Sequence, residues 1–275
     1  MTEERRRSIP TTIFVLIALV FLFLPLVIVV LFSFQSTGSV VFPFHGFSLR
    51  WYKTVFESEE FLEAVATSLK IAAIASLLTV VFGTAASYGI SRSRFKLRWL
   101  VALLMVIPLS LPGLFIGASL LSFFDQTGVQ LSTTTVLAGH LVYLLPFYII
   151  IVRAAFDRAD PLLEEAGADL GASPWRVFTR VLLPRVWPVI AGTACLMFAL
   201  SLDEFVITFF VIGDEPTLPL FIWSRLRETV DPSINVISTL LLLTTLALGV
   251  VALLIGMRSA RRRNPAIEGG PFADE

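Results

Sequence analysis

The segment EEAGADLGASPWRVFTRVLLP, residues 164–184, interrupts a chain otherwise built from long apolar runs. It carries Glu164, Glu165, Asp169, Arg176 and Arg180, together with the signals that start and stop short helices. Just upstream, Asp160 followed by Pro161 reads as an N-cap with proline at the first helical position, where its missing N–H costs nothing. Glu164 and Glu165 then fall near the helix N-terminus and complement its dipole. Gly171 suits the left-handed conformation that ends a helix. Ser173-Pro174 repeats the start signal and predicts a second short helix that stops shortly before Pro184. On the first helix Leu163, Ala166 and Leu170 follow i, i+3, i+7 spacing and form one apolar edge. Ala166, Gly167 and Ala168 leave its backbone open to close approach. These residues alone fit equally a helix docked in a partner's groove and an amphipathic helix resting on a membrane surface.

The flanking runs decide the environment. Hydrophobic residues make up 56% of the chain and charged ones 15%, with a mean hydropathy of +0.84. Soluble domains lie near 45–50% and about 25%, so the excess must face lipid or a large apolar interior. Runs of roughly 20 apolar residues, enough to cross a bilayer, predict six helical spans: Thr11–Phe34, Ser68–Ile90, Trp99–Phe124, Thr133–Phe156, Val186–Ile212 and Asn235–Met257. The first run is longer than a signal-peptide core and no A-x-A site follows it, so it reads as a retained helix. Zero net charge gives no basic face for nucleic acid. Cys195, the one cysteine, lies inside an apolar run and excludes an internal disulfide framework.

Basic residues fall on alternate sides of these spans. Arg5, Arg6 and Arg7 precede the first; Arg92, Arg94, Lys96 and Arg98 follow the second. Arg153 ends the fourth span on that side, Arg158, Arg176, Arg180 and Arg185 occupy the loop after it, and Arg258, Arg261, Arg262 and Arg263 follow the last span. That side holds 16 of the 21 basic residues. The positive-inside rule therefore predicts a cytoplasmic N-terminal segment (residues 1–10), loop (157–185) and C-terminal tail (258–275), flanking a membrane domain of residues 11–257. Trp99 and Trp187 fall at predicted interfaces, which indole rings favour.

Polar groups inside the spans mark candidate chemistry. In FALSLDEFVITFF, Asp203 and Glu204 adjoin within the fifth apolar run, Asp203 roughly 25 Å along a helix counted from Val186. A carboxylate there must face protein or water and is a functional candidate by default. With Ser201 and Thr208 it could line a path for a cation; the alternative is a structural ion pair or a helix cap. His140 reads either as a hydrogen-bonded core histidine or as a substrate contact. In the third span IPLSLPGLFIGASL favours a kink, which serves gating or ordinary packing. No cluster has metal-ligand spacing, and no nucleophile–base arrangement points to a catalytic site. There is no G-x-x-x-x-G-K-[ST] loop.

The fourth loop resembles the cytoplasmic motif of type I ABC importer permeases: E-A-A, three residues, G, nine residues, I-x-L-P. Glu165, Ala166 and Gly167 precede Ala168, Asp169 and Leu170; Gly171 follows, and nine residues later come Val181, Leu182, Leu183 and Pro184. Gly167 stands where alanine is usual and Val181 where isoleucine is. Within that group the chain is most similar to spermidine/putrescine permeases. The similarity rests on GFSLRWYKTVF, EEAGADLGAS, SLDEFVITFFVIG and TLPLFIWSRLRETVDPSINVISTL, and extends from about Pro25 to Arg258. Thr67 departs from it, standing where an asparagine commonly precedes the serine and leucine.

The resemblance implies an all-α membrane protein of type I permease fold, with six transmembrane helices and a coupling helix between the fourth and fifth. Glu165, Ala166, Gly167, Asp169, Leu170, Gly171, Val181, Leu183 and Pro184 would then meet a separate ATPase subunit that holds the ATP and magnesium, leaving this chain non-catalytic and without a cofactor. The implied partners are a second permease subunit in a heterodimer, two ATPase subunits and an external solute-binding protein. The last would meet residues 35–67 and 213–234, where Arg225, Arg227, Asp214, Glu215 and Glu228 offer polar groups. The setting would be a prokaryotic inner membrane. Permeases for ferric iron, thiamine or phosphonate share the motif and remain alternatives. An ion-coupled secondary transporter using Asp203 and Glu204, or a membrane scaffold, would not need the motif's spacing.

Overall fold

The computed structural model describes residues 3–93, 98–228 and 230–262. Arg94, Lys96, Arg263 and the remainder of the tail lie outside the described residues, as do the side chains of residues 3–10, Arg98 and 258–262. Twelve helices are described: α1 (Glu3–Ser33), α2 (Arg50–Phe56), α3 (Glu59–Arg92), α4 (Arg98–Ser110), α5 (Gly113–Thr127), α6 (Thr133–Asp157), α7 (Leu162–Asp169), α8 (Pro174–Val177), α9 (Leu183–Leu202), α10 (Val206–Val211), α11 (Leu218–Glu228) and α12 (Pro232–Arg262). Among the described residues the only β pairing is an isolated antiparallel bridge, Gln35 with Phe47. Five helical stretches among the described residues are long and apolar enough to cross a bilayer, or six if the bent pair α4–α5 is one span.

Two spans expected to be single helices are broken. The third, predicted over Trp99–Phe124, is α4 and α5 meeting at 100°. Pro112 is responsible: its ring pushes Leu111 out of the helical region, and Pro112 itself is extended at φ −57°, ψ 140°. What read as a kink is a corner. The fifth, predicted over Val186–Ile212, ends at Leu202 and resumes as α10 at Val206. The second and sixth spans run past their predicted bounds because acidic and polar residues extend the helices beyond the apolar runs.

The second helix of the 157–185 loop does not stop before Pro184, as its sequence suggested. It runs from α8 through a π-helical turn, Phe178–Leu182, straight into α9. Proline cannot donate to the carbonyl four residues back, and widening the turn accommodates it. Leu183 N–H accordingly donates to Phe178 O, five residues earlier.

The described residues form two compact units. One holds residues up to 63 with 220–244. In it Ser33 Oγ and Tyr52 OH share a 2.8 Å hydrogen bond, and Arg225 pairs with Glu60 at 2.6 Å. The other holds 64–219 with the chain from 245 onward. Its core joins α3, α6 and α9 through Ala75, Leu144, Tyr148, Val186 and Met197. A second cluster joins α3, α5, α6 and α10 through Ile71, Ile116, Val136, Ile207 and Val211. Small and hydroxyl residues bring these helices together. Ser76 Oγ donates to Ala194 O at 3.0 Å, and Thr84 Oγ1 bonds Tyr148 OH at 2.7 Å. α10 seats against two glycines: a Cβ on Gly117 would lie 2.7 Å from Phe210 Cδ2, and one on Gly139 2.7 Å from Ile207 Cγ2.

Gly213, just after α10, is tighter still. A Cβ there would lie 2.6 Å from the backbone oxygen of Leu131, which cannot rotate away. Gly213→Ala is expected to destabilise the protein by about 1–3 kcal/mol. Gly89→Ala, in open space on α3, is expected to leave stability unchanged or raise it by up to about 1 kcal/mol. Thermal unfolding in detergent measures both, and the glycine-packing account fails if the order is reversed.

Candidate functional site

The break in the fifth span puts the two acidic residues outside any helix interior. α9 ends with Asp203 N–H donating to Ala199 O at 3.2 Å. Glu204 then folds back: its Oε1 accepts from Ile207 N–H at 2.8 Å, capping the start of α10. Thr208 Oγ1 donates to Glu204 O at 2.8 Å. Asp203 is exposed and Glu204 half-buried. The two carboxylates thus differ in use: Glu204 closes a helix end, and Asp203 is presented.

Ser201 and Thr208 flank the break and are buried against His140. Its Nδ1 bonds Ser201 Oγ at 2.7 Å and its Nε2 bonds Thr208 Oγ1 at 2.9 Å. His140 is therefore a hydrogen-bonded interior histidine. Ser201 and Thr208 both face it. Ser68, His140, Ser201, Glu204, Thr208 and Thr217 line a cavity of about 10 Å³, about one water-sized sphere. Ser68 Oγ accepts from Leu218 N–H at 2.7 Å, tying α3 to the start of α11. Among the described residues, no group of three or more His, Cys, Asp or Glu side chains is arranged to hold a metal ion.

The 157–185 loop follows its cap signals closely. Asp160 Oδ1 accepts from Leu162 N–H at 3.0 Å. At the other end of α7, Gly171 has φ +77°, and its N–H donates to Ala168 O while Ala172 N–H donates to Gly167 O. Those two bonds are the Schellman pair that a left-handed residue permits. Ser173 Oγ accepts from Arg176 N–H at 3.4 Å to start α8. Gly167 also has a packing reason to depart from alanine: a Cβ there would lie 2.8 Å from Val177 Cγ2, on a β-branched side chain with little freedom to turn.

The outer surface of this loop is apolar at its tips. Leu170 is 88% exposed, Trp175 71% and Leu162 64%. Ala166 is exposed, whereas Leu163 is half-buried, so the open edge runs through Leu162 rather than Leu163. Glu165, Asp169 and Pro184 are exposed, and Val181 and Leu183 half-buried. Leu182, between them, is fully buried in the core shared with α6 and α9.

Sequence reading missed the anchor beneath the loop. Arg92, at the end of α3, forms an ion pair through Nε with Glu164 of α7. Its Nη1 donates to Phe156 O at 3.1 Å and its Nη2 to Ala159 O at 3.3 Å, meeting carbonyls at the end of α6. Tyr88 OH donates to Glu164 Oε2 at 3.2 Å. One planar fork, suited to several acceptors at once, joins three elements. Arg92 and Glu164 are 72 residues apart, and no local pattern connects them.

Comparison with known proteins bears on the family and the fold. Residues 79–264 match the family model described as binding-protein-dependent transport system inner membrane component. The putrescine transport system permease protein PotI of Escherichia coli (strain K12) is 31% identical over 259 residues, 91% of this chain and 92% of the relative. The spermidine/putrescine transport system permease protein PotC of the same strain is 29% identical over 236 residues, covering 86% and 89%. Among solved structures, a bacterial ABC transporter involved in the import of the acidic polysaccharide alginate superposes with a TM-score of 0.73 at 15% identity, covering 94% of this chain and 98% of that one. The secondary-transporter and scaffold readings do not survive these matches: the chain belongs to the family of binding-protein-dependent transport system inner membrane components, and is a non-catalytic permease subunit of an ABC importer.

Proposed function

We propose that this permease carries polyamines such as spermidine and putrescine, or closely related organic cations. The observation that carries the reading is the exposed Asp203 carboxylate at a helix break in an otherwise apolar span. A fixed negative charge in such a place attracts cations and repels anions, which disfavours phosphonate. The names of the relatives above point to the same solute class. The alginate importer shares only the fold, so its acidic cargo carries no weight here.

In this reading the chain lies in a prokaryotic inner membrane with both termini and the 157–185 loop in the cytoplasm. It pairs with a second, different permease subunit, two ATPase subunits that hold ATP and magnesium, and an external solute-binding protein. The binding protein meets residues 35–67 and 213–234. α7 docks in a groove on an ATPase subunit through Glu165, Ala166, Gly167, Asp169, Leu170 and Gly171, while Val181, Leu183 and Pro184 connect the loop to the fifth span. The exposed Leu162, Leu170 and Trp175 favour a protein groove over open water, because burying each large apolar side chain is favourable. Movement of α7 then reaches α3 and α6 through the Arg92 fork. Ser201 and Thr208 support the pathway from the interior side of the break.

Three tests bear on this reading, two made on the complete importer in proteoliposomes and one in intact cells. Asp203→Asn is expected to lower putrescine uptake about tenfold, and Glu204→Gln much less, since an amide oxygen still accepts from Ile207 N–H. Wild-type uptake by Asp203→Asn would remove the pathway role. Arg92→Ala is expected to keep ATP hydrolysis while uptake per ATP falls about tenfold, with Arg92→Lys intermediate because an ammonium pairs as a point charge only. Equal losses of hydrolysis and uptake would contradict transmission through Arg92. A cysteine placed at Asp169 is expected to resist an impermeant thiol reagent applied outside intact cells; its labelling there would invert the topology.

A further inference from the structure

The hydroxyl geometry around the break assigns a role to His140, and we propose that it is a positioning residue that fixes the break and thereby the place at which Asp203 is presented. The inference rests on the proposed pathway role of Asp203 for its transport consequence; its structural half stands on the hydrogen bonds alone.

Thr208 has one hydroxyl proton, and it is committed to Glu204 O at 2.8 Å. Toward His140, 2.9 Å away, Thr208 Oγ1 can therefore only accept, so the ring carries its proton on Nε2. Nδ1 is then the acceptor, and Ser201 Oγ donates to it at 2.7 Å. The result is one directed chain: Ser201 hydroxyl to Nδ1, Nε2–H to Thr208, Thr208 hydroxyl to the Glu204 carbonyl. It starts on the last turn of α9, crosses α6 and ends on the backbone of the break. His140 is 2% exposed, so bulk water does not replace either partner.

Two further contacts make α6 the frame against which the break is held. Thr135 Oγ1 bonds Val211 O at 2.6 Å, gripping the far end of α10. Gly139, beside His140, admits Ile207 against the α6 backbone. Neither contact reaches residues 203–205. The arm from His140 through Thr208 does, because it ends on the Glu204 carbonyl, one residue from Asp203.

A residue that acts through Asp203 should lose its effect when Asp203 is neutral, which a double-mutant cycle reads directly. In the complete importer with its binding protein, His140→Leu is expected to lower putrescine uptake per ATP about tenfold. In an Asp203→Asn background it is expected to cause no further fall. Hydrogen exchange of the same complexes is expected to show faster exchange at residues 204–208 in His140→Leu and no change there in Asp203→Asn. His140→Gln places an amide donor where Nε2–H lies and should retain more uptake than His140→Asn, which reaches only Ser201. That pair keeps the test decisive if the leucine variant fails to assemble. Additive losses in the double variant, unchanged exchange at 204–208, or equal uptake by the glutamine and asparagine variants would overturn the clamp. Normal uptake by Asp203→Asn alone would instead sink the pathway reading, leaving the exchange result to judge the clamp.

Discussion

A helix interrupted within hydrocarbon leaves backbone N–H and C=O groups that no water reaches, and each must find a partner in the protein. That constraint governs the fifth span of this permease. Between Leu202 and Val206 the break is closed by the chain's own groups. Glu204 supplies a carboxylate oxygen to Ile207 N–H, and Thr208 returns its hydroxyl to the Glu204 carbonyl. His140 braces Thr208 and Ser201 from α6. The surrounding glycines follow from the same requirement, since α10 reaches these partners only where Gly117 and Gly139 let it approach. Once the interior demands are met by Glu204, Thr208 and His140, the remaining carboxylate, Asp203, is released to the exposed side.

The sequence was most legible where local chemistry decides the outcome. Asp160, Gly171 and Ser173 each do what their cap signals imply, because capping depends on residues within a few positions. It is less legible where proline acts: IPLSLPGLFIGASL suggests a kink and makes a corner at Pro112, and the helix expected to stop shortly before Pro184 instead passes it through a π-helical turn. Both outcomes depend on what neighbouring helices can accept, which the dipeptide does not encode. The break at residues 203–205 has neither glycine nor proline to announce it, and only the helix-cap alternative for the acidic pair points to it. Nothing local announces the Arg92–Glu164 pair, which exists only because the ends of α3 and α6 converge on α7. The identity of the acidic pair was readable, but its division of labour required the fold.

The break and the loop are opposite ends of one helical rod. From the Ser173 cap, α8, the π-helical turn and α9 run without interruption over Pro174–Leu202, 29 residues, or about 43 Å. Asp203 is the residue that terminates it. In the proposed role, an ATPase subunit that moves α7 and α8 therefore acts on a lever whose far end is the presented carboxylate. The rod's π-helical turn, Phe178–Leu182, lies close to the driven end. Leu182 is packed there in the core with α6, so a displacement of α8 meets that contact before it reaches the rest of α9. His140 holds the far end against the same helix, α6. A tilt of the rod thus has two fixed points on one neighbour, and the second of them holds the break at which Asp203 is presented.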